Sequence, residues 1–361
     1  MTTAYLSSEP LKIAVLHAKA LGDFIVTLPA LAAIKETYPH AELVLLAKPW
    51  VKKFLAARPS VIDRVISVPA LSAGLNKPIN SAEVELFCAA MKTEKFDIIL
   101  HMQGDGRTVN SFINKLGAGL TAGMRNPPAE PLDRFIPYVH YQNEVLRNLE
   151  IAALIGAYTS KLEPQVEVTQ SDEQEAAPVR AVIKGRPYVV IHAGADDIRR
   201  LWPASKFAGV ADSLIKKGYE IVLTGMPKET EIVTNVMRAM NGAAILCTSL
   251  ELGGLAALLQ NSALVISNDT GPLHLARAVG ASTVGIFWAP NVLNWGPLSR
   301  SRHRLAISWR LECPQCRIKP VSPWPFQPVR PDCDHPYSFV ENIPVAEVLE
   351  PALELLSAAK I

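Results

Sequence analysis

Residues 12–17, 42–47, 64–68 and 96–102 (KIAVLH, ELVLLA, RVISV, FDIILHM) are nearly continuous apolar runs. Between them, near 22–38, 49–57, 80–93 and 107–116, lie longer stretches with a helical pattern. Short unbroken apolar runs suit strands buried on both faces, and a 3.6-residue rhythm suits the helices that cover them. Pro29 is expected to interrupt or kink the first helix. The rhythm weakens over 160–187, which is polar and carries Pro164, Pro178 and Pro187. It resumes with strands at 188–193, 220–225, 243–247, 263–269 and 282–287, and helices near 203–217, 227–240, 251–260 and 272–279. From 288 to 336 Pro and Trp are dense and periodicity is absent, which predicts an irregular surface excursion. An amphipathic helix closes the chain at 344–360.

This alternation predicts an α/β chain with two Rossmann-like lobes, each on a parallel sheet, facing a central cleft. The expected divisions are a first lobe over 1–165, a linker over 166–187, a second lobe over 188–340 and a terminal helix over 341–361. That helix is expected to pack back toward the first lobe. One large doubly wound sheet is the alternative, and the linker argues against it.

Composition narrows the function. With 361 residues, 49% of them hydrophobic, the chain can bury two cores. A formal net charge of +2 argues against a nucleic-acid partner held by bulk charge. The start, MTTAYLSSEPLKIAVLHAKALG, lacks the pattern of a signal peptide, and no apolar run is long enough to span a bilayer, so a cytoplasmic protein is expected. The 5 cysteines are odd in number and mostly late, which suits reduced thiols or a metal better than a disulfide framework.

In parallel α/β sheets ligands sit beyond the carboxyl ends of the strands. After the first strand comes Ala18-Lys19-Ala20-Leu21-Gly22-Asp23, without the G-x-G-x-x-G dinucleotide fingerprint. Asp23 reads either as a helix-cap residue or as a general base. Gly194 permits close approach of a ligand, and Arg199 and Arg200 suit a departing phosphate or, alternatively, pairing within their own loop. Lys206 is a further cation one turn on. Glu229 suits a ribose or a solvated helix face. In SNDTGPLHLARAVG (267–280) a strand meets a helix start with Pro272 at its first positions. The amides of Thr270, Gly271, Leu273 and His274 are expected to form an anion site there. Asp269 would orient the loop or meet a sugar, and His274 taken alone is more often a satisfied helix residue. Cys313, Cys316, Cys333 and His335 offer a tetrahedral set for structural zinc or iron, although the Pro-rich loop could be ordered without one. Asp332 and Asp334 lie in that loop, away from any strand end.

LGDFIVTLPALAAIKETYPHAELVLLAKP (21–49) and SNDTGPLHLARAVGASTVGIFW (267–288) resemble the signature regions of glycosyltransferase family 9, the ADP-heptose:lipopolysaccharide heptosyltransferases. DIILHMQGDGR (97–107), VIHAGADDIRRLWPASKF (190–207) and the late Cys-x-x-Cys are similar to family features in the same order. The resemblance implies a GT-B fold and inverting, metal-independent transfer needing no cofactor, at the cytoplasmic face of the inner membrane with at most peripheral contact. The implied partners are an ADP-heptose-like donor and a lipopolysaccharide-core or related glycan acceptor. By the same resemblance Asp23 is the base, with Gly22 and Arg107 on the acceptor side. Arg200 or its neighbour Arg199 meets the donor phosphates, and Asp269, Thr270, Gly271 and His274 hold the diphosphate and sugar. Gly194, Lys206 and Glu229 complete the expected donor set. Ala193-Gly194-Ala195 stands where the family has Ser or Thr, a departure that bears on donor choice. Another nucleotide sugar or a protein acceptor is the nearest alternative. A Rossmann-type epimerase or dehydrogenase and a non-catalytic two-lobed binding protein are more distant ones.

Overall fold

The computed structural model describes residues 11–69, 82–320 and 335–358. They fall into two compact units, Met1–Pro164 and Gln165–Ile361. In the first, β1 (Lys12–Leu16), β2 (Glu42–Ala47), β3 (Arg64–Ser67), β4 (Ile98–His101), β5 (Leu120–Arg125) and β6 (Arg134–Pro137) pair in parallel. Their order is β3-β2-β1-β4-β5-β6. The helices are α1 (Leu21–Thr37), α2 (Pro49–Leu55), α3 (Ala82–Glu94), α4 (Asn110–Lys115) and α5 (Glu144–Ala153). Helix α1 runs unbroken through Pro29, so the expected interruption does not occur. Its buried positions extend from Phe24 to Leu31 without a gap, and it packs against α5. Burial on this scale outweighs the one helix hydrogen bond that proline removes.

The second unit begins earlier than the sequence pattern suggests. The expected linker is largely α6 (Gln170–Ile183). Thr169 Oγ1 accepts from the Asp172 amide at 3.2 Å, and the Asp172 carboxylate accepts from the Thr169 amide at 2.8 Å. This reciprocal cap outweighs the polar composition and Pro178. Then follow β7 (Tyr188–His192), α7 (Ala204–Ile215), β8 (Glu220–Thr224), α8 (Thr230–Ala239), β9 (Ile245–Cys247), α9 (Leu252–Gln260), β10 (Leu264–Asn268), α10 (Gly271–Ala278), β11 (Thr283–Trp288), α11 (Ala289–Trp295), β12 (His303–Ser308) and α12 (Val345–Ala358). Glu175 on α6 accepts from the amides of Glu251 and Gly254 at 2.6 and 3.0 Å, capping α9. Two of the polar residues that made 166–187 look like a linker, Asp172 and Glu175, therefore serve as caps.

The second sheet is also parallel, ordered β12-β11-β10-β7-β8-β9. Counted from each unit's own first strand, both sheets have the doubly wound order 3-2-1-4-5-6, and each reverses direction between its first and fourth strands. The stretch 288–336, expected to be irregular, contains α11 and β12. Helix α12 places Val348, Ala352, Leu355 and Leu356 in the second unit's core, where it packs on α7 and β12. Its apolar face is thus covered by its own sheet.

Several histidines are buried at or beside strands. Burial pushes the imidazoles of His17, His101 and His303 down to about 4. His101 accepts from the Met124 amide at 3.1 Å through Nε2 and donates from Nδ1 to the Gln103 carbonyl at 3.0 Å, a pattern that requires the neutral ring. A Cβ on Gly123 would lie 2.1 Å from that ring, so glycine is obligatory beside it. Because these folded-state values lie below that of a free imidazole, the unfolded chain takes up protons first as pH falls. The contribution of neutral burial is therefore intact above about pH 6.5 and is lost toward about pH 4, at roughly 1.4 kcal/mol per pH unit for each group. Melting temperature should fall steadily across that window in a pH series. A flat profile would contradict neutral burial.

Candidate active site

At the carboxyl ends of β1 to β4 in the first unit lies a pocket of about 870 Å³, whose lining includes Lys19, Asp23, Lys48, Gln103 and Thr108. The N-cap of α1 is Ala20, which makes no side-chain cap bond, so Asp23 in the first turn is not the cap. Its carboxylate lies 3.2 Å from the Lys19 ammonium and is 20% exposed. Burial works against charge on Lys19, but Asp23 together with Glu144 and Tyr138 outweighs it and holds the ammonium above its ordinary value. The Ala18 amide donates to Gln103 Oε1 at 2.6 Å, and His17 Nδ1 donates to the Met102 carbonyl at 2.8 Å. These bonds tie the loop after β1 to the loop after β4, across the reversal point of the sheet. Gly22 is buried in the helix, and Arg107 is engaged by Asp105 at 2.5 Å. Neither is among the residues lining the pocket.

The second unit places a different set at its own reversal point. Asp269 follows β10 and is 1% exposed. Asn291 Nδ2 donates to its Oδ2 at 2.8 Å, and His274 Nε2 lies 3.3 Å from its Oδ1. Arg200 Nη1 donates to the Asp269 carbonyl at 2.8 Å and lies 3.7 Å from Oδ2. Every oxygen of Asp269 thus has a partner, as a buried carboxylate requires. Next along the chain, Thr270 is the extended N-cap of α10 and makes no side-chain cap bond. The Leu273 and His274 amides donate to its carbonyl at 3.0 and 3.4 Å. Those two amides, expected to face an anion, are occupied by closure of the first turn. The helix start therefore offers Thr270 and Gly271, with the Arg200 guanidinium joined to the preceding carbonyl.

Arg199 and Arg200 have separate partners. Arg199 forks onto Asp197, with Nε at 2.9 Å from Oδ1 and Nη2 at 2.6 Å from Oδ2, while Arg200 reaches Asp269. Lys206 is not brought to the cluster: its ammonium donates to the carbonyls of Glu341 and Ile343 at 2.5 and 2.9 Å. Glu229 is 4% exposed, not solvated, and accepts from the Met226 amide at 2.8 Å. His192 Nε2 lies 3.8 Å from it, and burial keeps that imidazole below its usual value against the pull of the carboxylate. A Cβ on Gly194 would stand 2.3 Å from Glu229 Oε1. Asn268 fixes the floor, donating to the Ala193 carbonyl at 2.8 Å and accepting from the Trp202 amide at 3.2 Å. Lys48 and Asn268 lie inside the two signature stretches and Lys19 just before one, but nothing in the sequence marks them as site residues, and Asn291 in α11 carries no motif. The donor atoms of Cys313, Cys316 and His335 lie within 4.8 Å of one another, in neither of these clusters. Cys333 lies outside the described residues, as do Asp332 and Asp334.

At the reversal point of the second unit a guanidinium and a helix start lie together, an arrangement that suits an anion. Two doubly wound parallel units in one chain are the GT-B architecture. The profile of glycosyltransferase family 9 (heptosyltransferase) matches residues 86–322. Lipopolysaccharide heptosyltransferase 3 of Escherichia coli is 25% identical over 78% of this chain and 84% of its own length. Lipopolysaccharide heptosyltransferase 1 of Pseudomonas aeruginosa is 24% identical over 89% and 90%. The solved structure of E. coli ADP-heptose lps heptosyltransferase II covers 97% of this chain and 100% of its own, with a TM-score of 0.74 at 18% identity. The chain belongs to glycosyltransferase family 9 and is a glycosyltransferase enzyme. No helix of the described residues is long and apolar enough to cross a membrane.

Gly194→Ala tests the crowding beneath the site. Displacing the Glu229 carboxylate from its buried contacts should cost about 1–3 kcal/mol in denaturant unfolding. A variant as stable as the parent would contradict the close approach.

Proposed function

We propose that the chain transfers a heptosyl group, with inversion, from an ADP-heptose-like donor to a lipopolysaccharide-core acceptor. The observation that carries this reading is the division of charge between the two reversal points. The first unit has a carboxylate in a large pocket, suited to a hydroxyl acceptor. The second has a guanidinium and a helix start around a fully partnered Asp269, suited to a diphosphate. The names of the relatives supply the sugar and acceptor class: the E. coli and P. aeruginosa proteins are lipopolysaccharide heptosyltransferases.

In this mechanism Asp23 accepts the proton of the acceptor hydroxyl as its oxygen attacks the anomeric carbon. The bond from that carbon to the diphosphate oxygen breaks, and the nucleoside diphosphate leaves with the electron pair. Negative charge grows on the leaving group in the transition state, so donors already fixed there lower the barrier. Arg200 and the Thr270 and Gly271 amides fill that role, which is why we read the transfer as metal-independent. Arg199 is a loop-ordering residue, since its fork is already closed on Asp197. Lys19 keeps a positive charge beside Asp23 and, with Lys48, favours an anionic acceptor in the same pocket. Asp269 holds Arg200, His274 and Asn291 in place and need not touch the sugar. The reaction would take place at the cytoplasmic face of the inner membrane, with at most peripheral contact.

Asp23→Asn is nearly isosteric and separates chemistry from binding. With ADP-heptose and heptose-deficient lipopolysaccharide, kcat should fall about 10²–10⁴-fold while ADP affinity stays within about twofold. A variant that retains parental kcat would remove Asp23 as the base. Release of ADP without heptose on the acceptor would reject the acceptor class.

A further inference from the structure

Beyond the transfer site, we propose that Cys313, Cys316 and His335 bind one borderline-soft divalent transition metal, zinc foremost, and that this ion fixes the loop carrying Arg200. The first part rests on the geometry of the thiols. After β12 the chain turns tightly at Cys313–Ile318: the Cys313 amide donates to the Ile318 carbonyl at 2.9 Å, and the Arg317 amide returns to the Cys313 carbonyl at 2.9 Å. Arg317, just after the second cysteine, sits at φ 62°, in the left-handed region that a side chain seldom adopts. The turn brings both thiols to one side, in the Cys-x2-Cys spacing that chelates a single ion.

His335 approaches from a different part of the chain. Its Nδ1 lies 3.8 Å from Cys313 Sγ, and all three donor atoms are within 4.8 Å of one another. Around tetrahedral zinc, bonds of about 2.3 Å to sulfur and about 2.0–2.1 Å to nitrogen separate those atoms by about 3.5–3.6 Å. For the Cys313–His335 pair only a few tenths of an ångström separate the observed distance from a coordinated one, and the other pairs need close by at most about 1.3 Å. Cys313 is fully buried and Cys316 partly exposed. Two thiolates and an imidazole select zinc or ferrous iron over magnesium or calcium.

The second part follows from what His335 is attached to. Tyr337 bonds through its hydroxyl to the Arg310 guanidinium, and Phe339 stacks on Trp288 with ring centroids 4.3 Å apart. The Phe339 amide donates to the Arg199 carbonyl at 2.9 Å, and Ser338 Oγ donates to the Leu201 carbonyl at 2.6 Å. The segment following His335 therefore grips the backbone on both sides of Arg200, whose side chain then reaches Asp269. An ion joining His335 to the turn after β12 anchors one end of that grip. Arg200 is the group that meets the donor in our functional reading. The metal and its mechanical effect are measured independently of that reading.

The test uses the full chain, purified after growth with zinc supplied. Elemental analysis should find about one metal ion per chain, and cobalt substitution should give a thiolate-to-cobalt charge-transfer band. Cys316→Ser and His335→Ala alter a partly exposed and an exposed side chain, so the fold should persist while metal affinity falls about tenfold or more. Cys88→Ser, in the other unit, should leave metal content unchanged. Stripping the metal should speed amide exchange at least about tenfold at 198–202 and 337–343, with re-added zinc restoring it and β1 unaffected. No metal above background, or parental metal content in both ligand variants, would overturn the site. Bound metal whose removal leaves exchange at 198–202 unchanged would overturn the positioning role.

Discussion

A carboxylate buried to 1% exposure cannot remain ionised without partners for its oxygens, and the second unit is arranged around that requirement at Asp269. Asn291 comes from the helix after β11, His274 from α10 and Arg200 from the loop after β7. Three separate chain segments are thereby fixed at the reversal point of one sheet. Because Arg200 bonds the backbone carbonyl, part of its guanidinium remains for a ligand. Its position is set by the protein before the ligand arrives, which is what makes a donor effective in a transition state.

The two units share a strand order and differ in chemistry. The first reversal point carries Asp23 beside Lys19 in a pocket formed by the loops after four strands. The second carries a helix start and a guanidinium, with Gly194 packed so closely beneath on the Glu229 carboxylate that any side chain there must displace it. A shared scaffold thus carries a carboxylate beside an ammonium in one place and a guanidinium beside a helix start in the other.

Much of this was legible in the sequence because the central strands are continuous Val, Ile and Leu runs. The placement of Asp23 in the helix after the first run, and of Asp269–Gly271 directly after another, was also legible. The edges were not. LTAGMR makes β5 without an apolar run because Gly123 must stay small under His101. The helix in the expected linker carried a readable signal, Thr169 three residues before Asp172, but its polarity and prolines suggested a linker although Asp172 and Glu175 are caps. Arg199 and Arg200 are adjacent and chemically identical, so only the position of Asp197 separates them. Lys206 looked like a phosphate ligand because the carbonyls it serves lie some 135 residues away in sequence. Asn291 is one asparagine in a Pro- and Trp-rich stretch, and nothing local marks it as a partner of Asp269.

The central claim is that Arg200, held on Asp269, recognises a second phosphate. Calorimetric titration of the full chain with ADP and with AMP tests it most directly. The parent should prefer ADP by about tenfold or more, the worth of about 1.4 kcal/mol, consistent with one charge-assisted contact. In Arg200→Ala that preference should largely vanish while AMP affinity holds. An Arg200→Ala chain that keeps the full preference for ADP would contradict the account.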